Sequence, residues 1–150
     1  KDADGTKVGS VKVNASYAGV AGIGKSLGFD AKLRSLYPAG TDYIFDGGLA
    51  NVRGAELSSG SNAASRTEVF GSLSENDILR QIQKVNGNIT SLVSQTASSA
   101  EDMQYTDGSV VSAAYALGIA NGQTIEATFD SPVTKSTQWS APLNVAVTYN

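Results

Sequence analysis

From Gly9 to Ala18 the chain alternates, with Val11, Val13, Ala15 and Tyr17 on one side and Ser10, Lys12, Asn14 and Ser16 on the other. A period of two predicts a half-buried strand. Beyond Gly19 glycines break the pattern into short pieces. Phe29, Leu33, Leu36 and Tyr37 recur at i, i+4, i+7 and i+8, which predicts a short amphipathic helix ending before Pro38 and Gly40. Tyr43, Ile44 and Phe45 predict a short strand closed by Gly47 and Gly48. Leu57 to Ser65, mostly Ser, Gly, Asn and Ala, predicts a loop, and Thr67 to Gly71 a brief strand.

The clearest helix signal opens at Ser74, a good N-cap, with Glu75 and Asp77 in the first turn, where the helix dipole favours acids. Ile78, Ile82, Val85, Ile89 and Leu92 are spaced 4, 3, 4 and 3, one face of a helix running to about residue 94. Gly87 weakens or breaks that helix, leaving residues 75 to 86 as its firm part. The last third predicts strands. Val111, Ala113, Tyr115, Leu117 and Ile119 alternate, as do Ile125, Ala127 and Phe129, and Asn121-Gly122 between them predicts a hairpin. After Pro132 and a polar stretch holding Trp139, the chain ends on an alternating Leu143, Val145, Val147 and Tyr149. Terminal strands fray unless paired, so this one calls for a neighbour.

Composition narrows the chemistry. The 150 residues carry 41% hydrophobic and 17% charged positions, which fits a folded domain and excludes a disordered chain. Eleven Lys and Arg against 14 Asp and Glu give a formal charge of −3, unlike the basic surface that binds nucleic acid. There is no His and no Cys. Imidazole general bases, thiolate nucleophiles, disulfides and His- or Cys-ligated metals are therefore absent. No apolar run approaches the ~20 residues of a membrane helix, and no signal peptide precedes Lys1, so the chain reads as mature, processed or a fragment.

Three motifs invite a functional reading. Gly19-Val-Ala-Gly-Ile-Gly-Lys25-Ser26 matches G-x-x-x-x-G-K-[ST], in which glycine amides cradle phosphates, the lysine reaches the terminal phosphates and the hydroxyl holds magnesium. A phosphate-binding domain needs alternating strand-helix units around a parallel sheet, and residues 103 to 150 predict antiparallel strands instead. A glycine-rich loop is the better reading. Asp2-Ala-Asp4-Gly5 opens like a calcium loop but lacks the glutamate at the twelfth position, so it reads as a solvated turn. Arg34, Tyr37, Asp42, Tyr43, Phe45 and Asp46 mix aromatic rings with charged hydrogen-bonding groups, a combination that stacks on sugar C–H faces and bonds their hydroxyls. Tyr37 and Phe45 would equally serve to pack this segment onto the rest of the fold.

The segments Ser72 to Leu79, Asp107 to Phe129, Ser136 to Tyr149 and Lys7 to Gly19 resemble FaeG- and ClpG-type major fimbrial subunits of enterotoxigenic Escherichia coli, which assemble by the chaperone-usher pathway. Residues 20 to 65 depart most from that pattern. The resemblance implies a mainly β fold: an incomplete immunoglobulin-like sandwich, completed by a donor strand, with a helix-containing insertion. On this reading, residues 1–150 are the C-terminal part of one pilin domain, with the insertion at about 20–65, the helix at about 75–94 and sandwich strands at about 108–150. Family subunits are longer at the N-terminus, where early strands and a donor extension precede the position of Lys1.

The resemblance also implies function. The chain would be a non-enzymatic fimbrial structural subunit and adhesin, without cofactor or metal, reaching the cell-surface fimbrium through the periplasm. Its partners would be neighbouring subunits through the donor strand, a periplasmic chaperone, an outer-membrane usher and a host glycoconjugate receptor of galactose-containing type. Arg34, Tyr37, Asp42 and Tyr43 are the candidate carbohydrate-binding residues. Leu143, Val145, Val147, Tyr149 and Asn150 would border the groove that chaperone or donor strand fills. Four groove-filling side chains at about 1.5 to 3 kcal/mol each amount to about 6 to 12 kcal/mol, which rivals the total stability of a domain, about 5 to 15 kcal/mol. A purely structural pilin and a nucleotide-binding protein are the alternatives.

Overall fold

The structure, a computed structural model, describes residues 1–37, 57–96, 99–100, 107–136 and 138–144. The strand elements are β1 (Gly9–Val13), β2 (Ser16–Gly24), β3 (Asp30–Tyr37), β4 (Ser91–Ser94), β5 (Ser99–Ala100), β6 (Val110–Gly118) and β7 (Ile125–Phe129). Two helices, α1 (Gly60–Val69) and α2 (Glu75–Val85), lie between β3 and β4. The chain is thus mainly β with two short helices, and no described helix is long and apolar enough to cross a membrane. The residues divide into two compact units. One is built on Ser16–Gly118, and the other joins Lys1–Ala15 to Ile119–Thr148.

In the first unit β4, β3, β2 and β6 lie side by side in that order, with β5 pairing the end of β3. β2 runs antiparallel to both neighbours, so the rows Val20–Ser35–Ala114, Gly22–Leu33–Ser112 and Gly24–Ala31–Val110 share one face. Both helices cover that face. Val20, Ala31, Leu33, Ala63, Ala64, Ile78, Ile82, Ile89 and Ala114 form a single buried cluster there. Each fully buried isoleucine contributes about 1.5 to 3 kcal/mol of hydrophobic stabilisation, and three of them, Ile78, Ile82 and Ile89, sit at 0% exposure.

Glycine makes this close approach possible. A Cβ on Gly22 would lie 2.8 Å from both Ile78 and Ile82, and one on Gly24 would lie 2.2 Å from Ile89. At the N-terminus of α1, a Cβ on Gly60 would lie 2.2 Å from the backbone oxygen of Leu33. The helix start therefore rests directly on β3.

Local chemistry sets the helix ends. Ser74 caps α2: its Oγ accepts from Asp77 N–H at 3.2 Å, while Asp77 Oδ2 accepts from Ser74 N–H at 3.1 Å and Ser74 Oγ–H at 2.6 Å. This is a capping box with aspartate in the usual Glu/Gln place. α2 ends at Val85, and Asn86 follows as its C-cap. Residues beyond Gly87 turn into β4 rather than continuing the helix, and Val85, expected on the apolar face, is 75% exposed. Ile89 still reaches the core, from the loop after the helix.

Three expectations fail. Residues 30–37 are strand β3 rather than a helix, because two-residue spacing buries Ala31, Leu33 and Ser35, while Phe29 stays exposed. Residues 57–71, expected as loop and strand, hold α1, which is capped by Ser59 accepting from Asn62 N–H at 3.2 Å. It closes in a Schellman motif: Gly71 at φ +84° donates to Glu68 O, and Ser72 donates to Thr67 O. The strand expected over 9–18 is in fact two, β1 and β2, separated at Asn14–Ala15.

The second unit is a two-stranded ladder, β1 antiparallel to β7 with Gly9 opposite Phe129 and Val13 opposite Ile125. Phe129 meets Trp139 edge to face at 5.8 Å, and Trp139 bridges to Asp2. The Asn121-Gly122 turn forms, with Gln123 N–H donating to Ala120 O at 3.0 Å. Its flanking strands do not pair with each other, however. β6 pairs with β2 and β7 with β1, so the expected hairpin is replaced by two separate ladders. Among residues 138–144 the Asp2–Trp139 bridge is the extent of β structure.

Candidate binding surfaces

The apparent phosphate loop has a definite fate. Gly19 to Gly24 are the last six residues of β2, with ladder partners on β6 throughout and on β3 from Val20 onward, so the expected glycine-rich loop is a central strand. Amides held in two ladders cannot converge on a phosphate. After Ser26 the chain makes a tight turn, Gly28 N–H donating to Lys25 O at 3.0 Å, and enters β3 instead of a helix. Lys25 pairs with Asp107 and lies 3.3 Å from Ser109 Oγ. The Lys25 ammonium, then Ser109 through its side chain and backbone, hold the Asp107 carboxyl well below the usual carboxylate range. The nucleotide-binding alternative therefore has no geometry to rest on.

The calcium-like opening is a turn in which Asp2 Oδ1 accepts from Asp4 N–H at 3.1 Å and Thr6 N–H at 2.8 Å. An Asx-type turn accounts for the Asp-x-Asp-Gly spelling without an ion.

Of the candidate carbohydrate residues, Arg34 and Tyr37 lie on β3, both half-buried, and Asp42 and Tyr43 lie outside the described residues. Side chains alternate along a strand, so Arg34 and Tyr37, three apart, address opposite faces of the sheet. Arg34 stands opposite Ala21, on the face away from the helices. Of the groove residues, Leu143 is 66% exposed, and Val145, Val147, Tyr149 and Asn150 lie outside the described residues.

Two surfaces carry apolar side chains that lack full cover. On the sheet face opposite the helices, Tyr17 pairs with Leu117 and Ile23 with Val111, with Ala113 and Tyr115 on the same face. None of these six is fully buried, and Leu117 is 38% exposed. Val111, Ala113, Tyr115 and Leu117 are the alternating apolar set of this strand. The buried positions are instead Ser112 and Ala114, and Ser112 is accommodated by donating to Gln81 Oε1 at 2.7 Å. In the two-stranded unit, Lys1, Lys7, Val8, Val11, Phe129 and Trp139 help line a shallow hollow of about 160 Å³. Ile125, Phe129, Val133, Trp139 and Leu143 all keep a third or more of their surface in solvent. The period-two pattern of Ile125 and Phe129 marked them as apolar, but only the structure places Trp139 against Phe129.

The chain matches no protein-family model. It is 70% identical over 150 residues to K88 fimbrial protein AB of Escherichia coli, 69% over 149 residues to K88 fimbrial protein AC and 68% over 150 residues to K88 fimbrial protein AD. The chain belongs to the K88 fimbrial protein family. Each match covers 99% of this chain, and 52 to 53% of the relative. The chain thus spans about half the length of the curated relatives it matches. Membership of the K88 fimbrial family places it with proteins of the cell-surface fimbrium.

Proposed function

We propose that this chain is the strand-accepting part of a fimbrial subunit and adhesin, which polymerises through donor-strand complementation and binds a host glycan. One observation carries the fimbrial reading: 68 to 70% identity across 99% of the chain to three K88 fimbrial proteins. The strand-acceptor reading is supported by the two-stranded unit. A two-stranded ladder is marginal alone in water, and in this unit Ile125, Phe129, Val133, Trp139 and Leu143 remain 36 to 66% exposed. An incomplete immunoglobulin-like sandwich would leave such residues waiting for a partner strand, with an alternating donor filling side-chain pockets along an open edge. Leu143, Val145, Val147, Tyr149 and Asn150 border that groove in this reading, and the periplasmic chaperone holds it before the usher exchanges chaperone for subunit.

The test is thermal unfolding with and without a peptide copying the N-terminal extension of a sister subunit. Complementation raises the melting temperature, and an unchanged melting temperature overturns the strand-acceptor reading. For glycan binding, the residues are Arg34, Tyr37, Asp42 and Tyr43, and the receptor is a galactose-containing glycoconjugate. Glycan-array binding should disappear when all four are changed to alanine; binding that survives refutes the assignment. A purely structural subunit is the second reading. It is favoured by the placement of Arg34 and Tyr37 on opposite sheet faces, and it expects fibres that bind no glycan at all.

A further inference from the structure

The sequence contains two Asn-Gly pairs, Asn86-Gly87 and Asn121-Gly122. This dipeptide is prone to spontaneous cyclisation, because glycine leaves its own backbone nitrogen unshielded and free to approach the preceding side chain. The two pairs stand in contrasting surroundings. Asn86 caps α2 and is gripped at both ends of its amide: Nδ2 donates to Ser26 O at 3.0 Å, and Oδ1 accepts from Asn88 N–H at 3.1 Å. Its own N–H donates to Ile82 O at 2.9 Å. Swinging that side chain onto the Gly87 nitrogen breaks its bonds to Ser26 O and Asn88 N–H.

Asn121 is exposed at the tip of a tight turn, and its amide makes no hydrogen bond among the described residues. The turn is closed around it, by Gln123 N–H on Ala120 O at 3.0 Å and by Ala120 N–H on Gln123 Oε1 at 2.7 Å, and neither bond uses the Gly122 N–H. Gly122 sits at φ +84°, and its Cα faces open space, with nothing within 4 Å of where a Cβ would stand.

We infer that Asn121-Gly122 is a spontaneous modification site, at which the folded chain converts asparagine to aspartate and isoaspartate while Asn86-Gly87 is protected. Hydroxide removes the Gly122 amide proton, and the nitrogen attacks Asn121 Cγ. A C–N bond forms, the Cγ–Nδ2 bond breaks, and ammonia leaves with a proton from water. Water then opens the cyclic imide at either carbonyl. One opening yields aspartate and the other isoaspartate, which inserts an extra backbone carbon into the turn. Each event replaces a neutral amide with a carboxylate, so the chain's formal charge of −3 becomes more negative by one.

The experiment ages the 150-residue chain in mildly alkaline buffer at physiological temperature and follows it by isoelectric focusing, peptide mapping and an isoaspartate-specific methyltransferase. The peptide holding Asn121 should gain one mass unit and split into two forms at least an order of magnitude faster than the peptide holding Asn86. In urea the two sites should convert at comparable rates, and the acidic isoform should not form in Asn121→Gln. Asn86 converting as fast as Asn121 in the folded chain overturns the inference. So does an absence of conversion at Asn121, or a rate ratio that urea leaves unchanged.

Discussion

The two units of this chain are built from the same kind of sequence and differ in one respect, a second layer. In Ser16–Gly118 a sheet carries two helices on one face, and Ile78, Ile82 and Ile89 are sealed from water. In the other unit β1 and β7 pair only with each other among the described residues, and every residue of β7 is exposed. Alternating apolar residues are present in both. A strand pattern therefore specifies which side chains are meant for burial, while burial itself depends on what lies across from them.

The largest expected effect tests this contrast directly. Ile82→Ala removes a fully buried side chain from the helix–sheet interface and should cost about 2 to 5 kcal/mol. Phe129→Ala in the two-stranded unit should cost clearly less, because Phe129 already keeps 36% of its surface in water. Chemical denaturation compares them, and equal losses would mean that the second unit is as closed as the first. Native-state hydrogen exchange sharpens the same point, with β2 and β6 amides expected to outlast those of β1 and β7.

Next in size is the α2 cap. Ser74→Ala deletes the acceptor for Asp77 N–H and should lower stability by about 1 kcal/mol, read as a reduced denaturation midpoint. Hydrogen bonds from the Ser74 hydroxyl and backbone hold the Asp77 carboxyl below its ordinary value of 3.8. A depressed folded-state value means that this contribution is present above 3.8 and fades as pH falls further, through the folded-state value. The melting-temperature gap between the parent chain and Asp77→Asn should therefore narrow on acidification. A gap that widens in acid would contradict the capping geometry. The smallest effect belongs to Lys25→Ala. Lys25 and Asp107 are 70% and 50% exposed, and solvent-screened pairs of this kind contribute little to stability. Parent and variant should both fail to bind a fluorescent nucleotide.

What could be read from the sequence follows the same division. Ser74, Asp77, Ile78 and Ile82 announce α2 because cap, charge and period agree, and the weakness at Gly87 coincides with the end of the helix. α1 escaped because Gly60-Ser-Asn-Ala-Ala-Ser has almost no apolar stripe. Its stability comes from Ala63 and Ala64 fitting against the sheet, and Ser59 and Gly71 were its only legible marks. β3 reads as a helix in the sequence because Leu33, Leu36 and Tyr37 happen to satisfy a helical period. The buried Ser35, which accepts from Leu57 N–H at 3.0 Å, hid the strand alternation. Arg34 and Tyr37 looked adjacent in a list of positions, and strand geometry separates them. Half of that candidate site, with most of the groove residues, lies outside the described residues.

The glycines of β2 carry a consequence for how sequences are searched. Sockets at Gly22 and Gly24 must recur every second residue to admit Ile78, Ile82 and Ile89, and a charged residue suits the turn that follows. Of these two glycines Gly24 belongs to the G-x-x-x-x-G-K-[ST] spelling, so close packing against Ile89 can supply the last glycine of a nucleotide-binding signature in a strand that cradles no phosphate. The false match would be inherited for as long as the packing is, since erasing its last glycine means driving a side chain into Ile89.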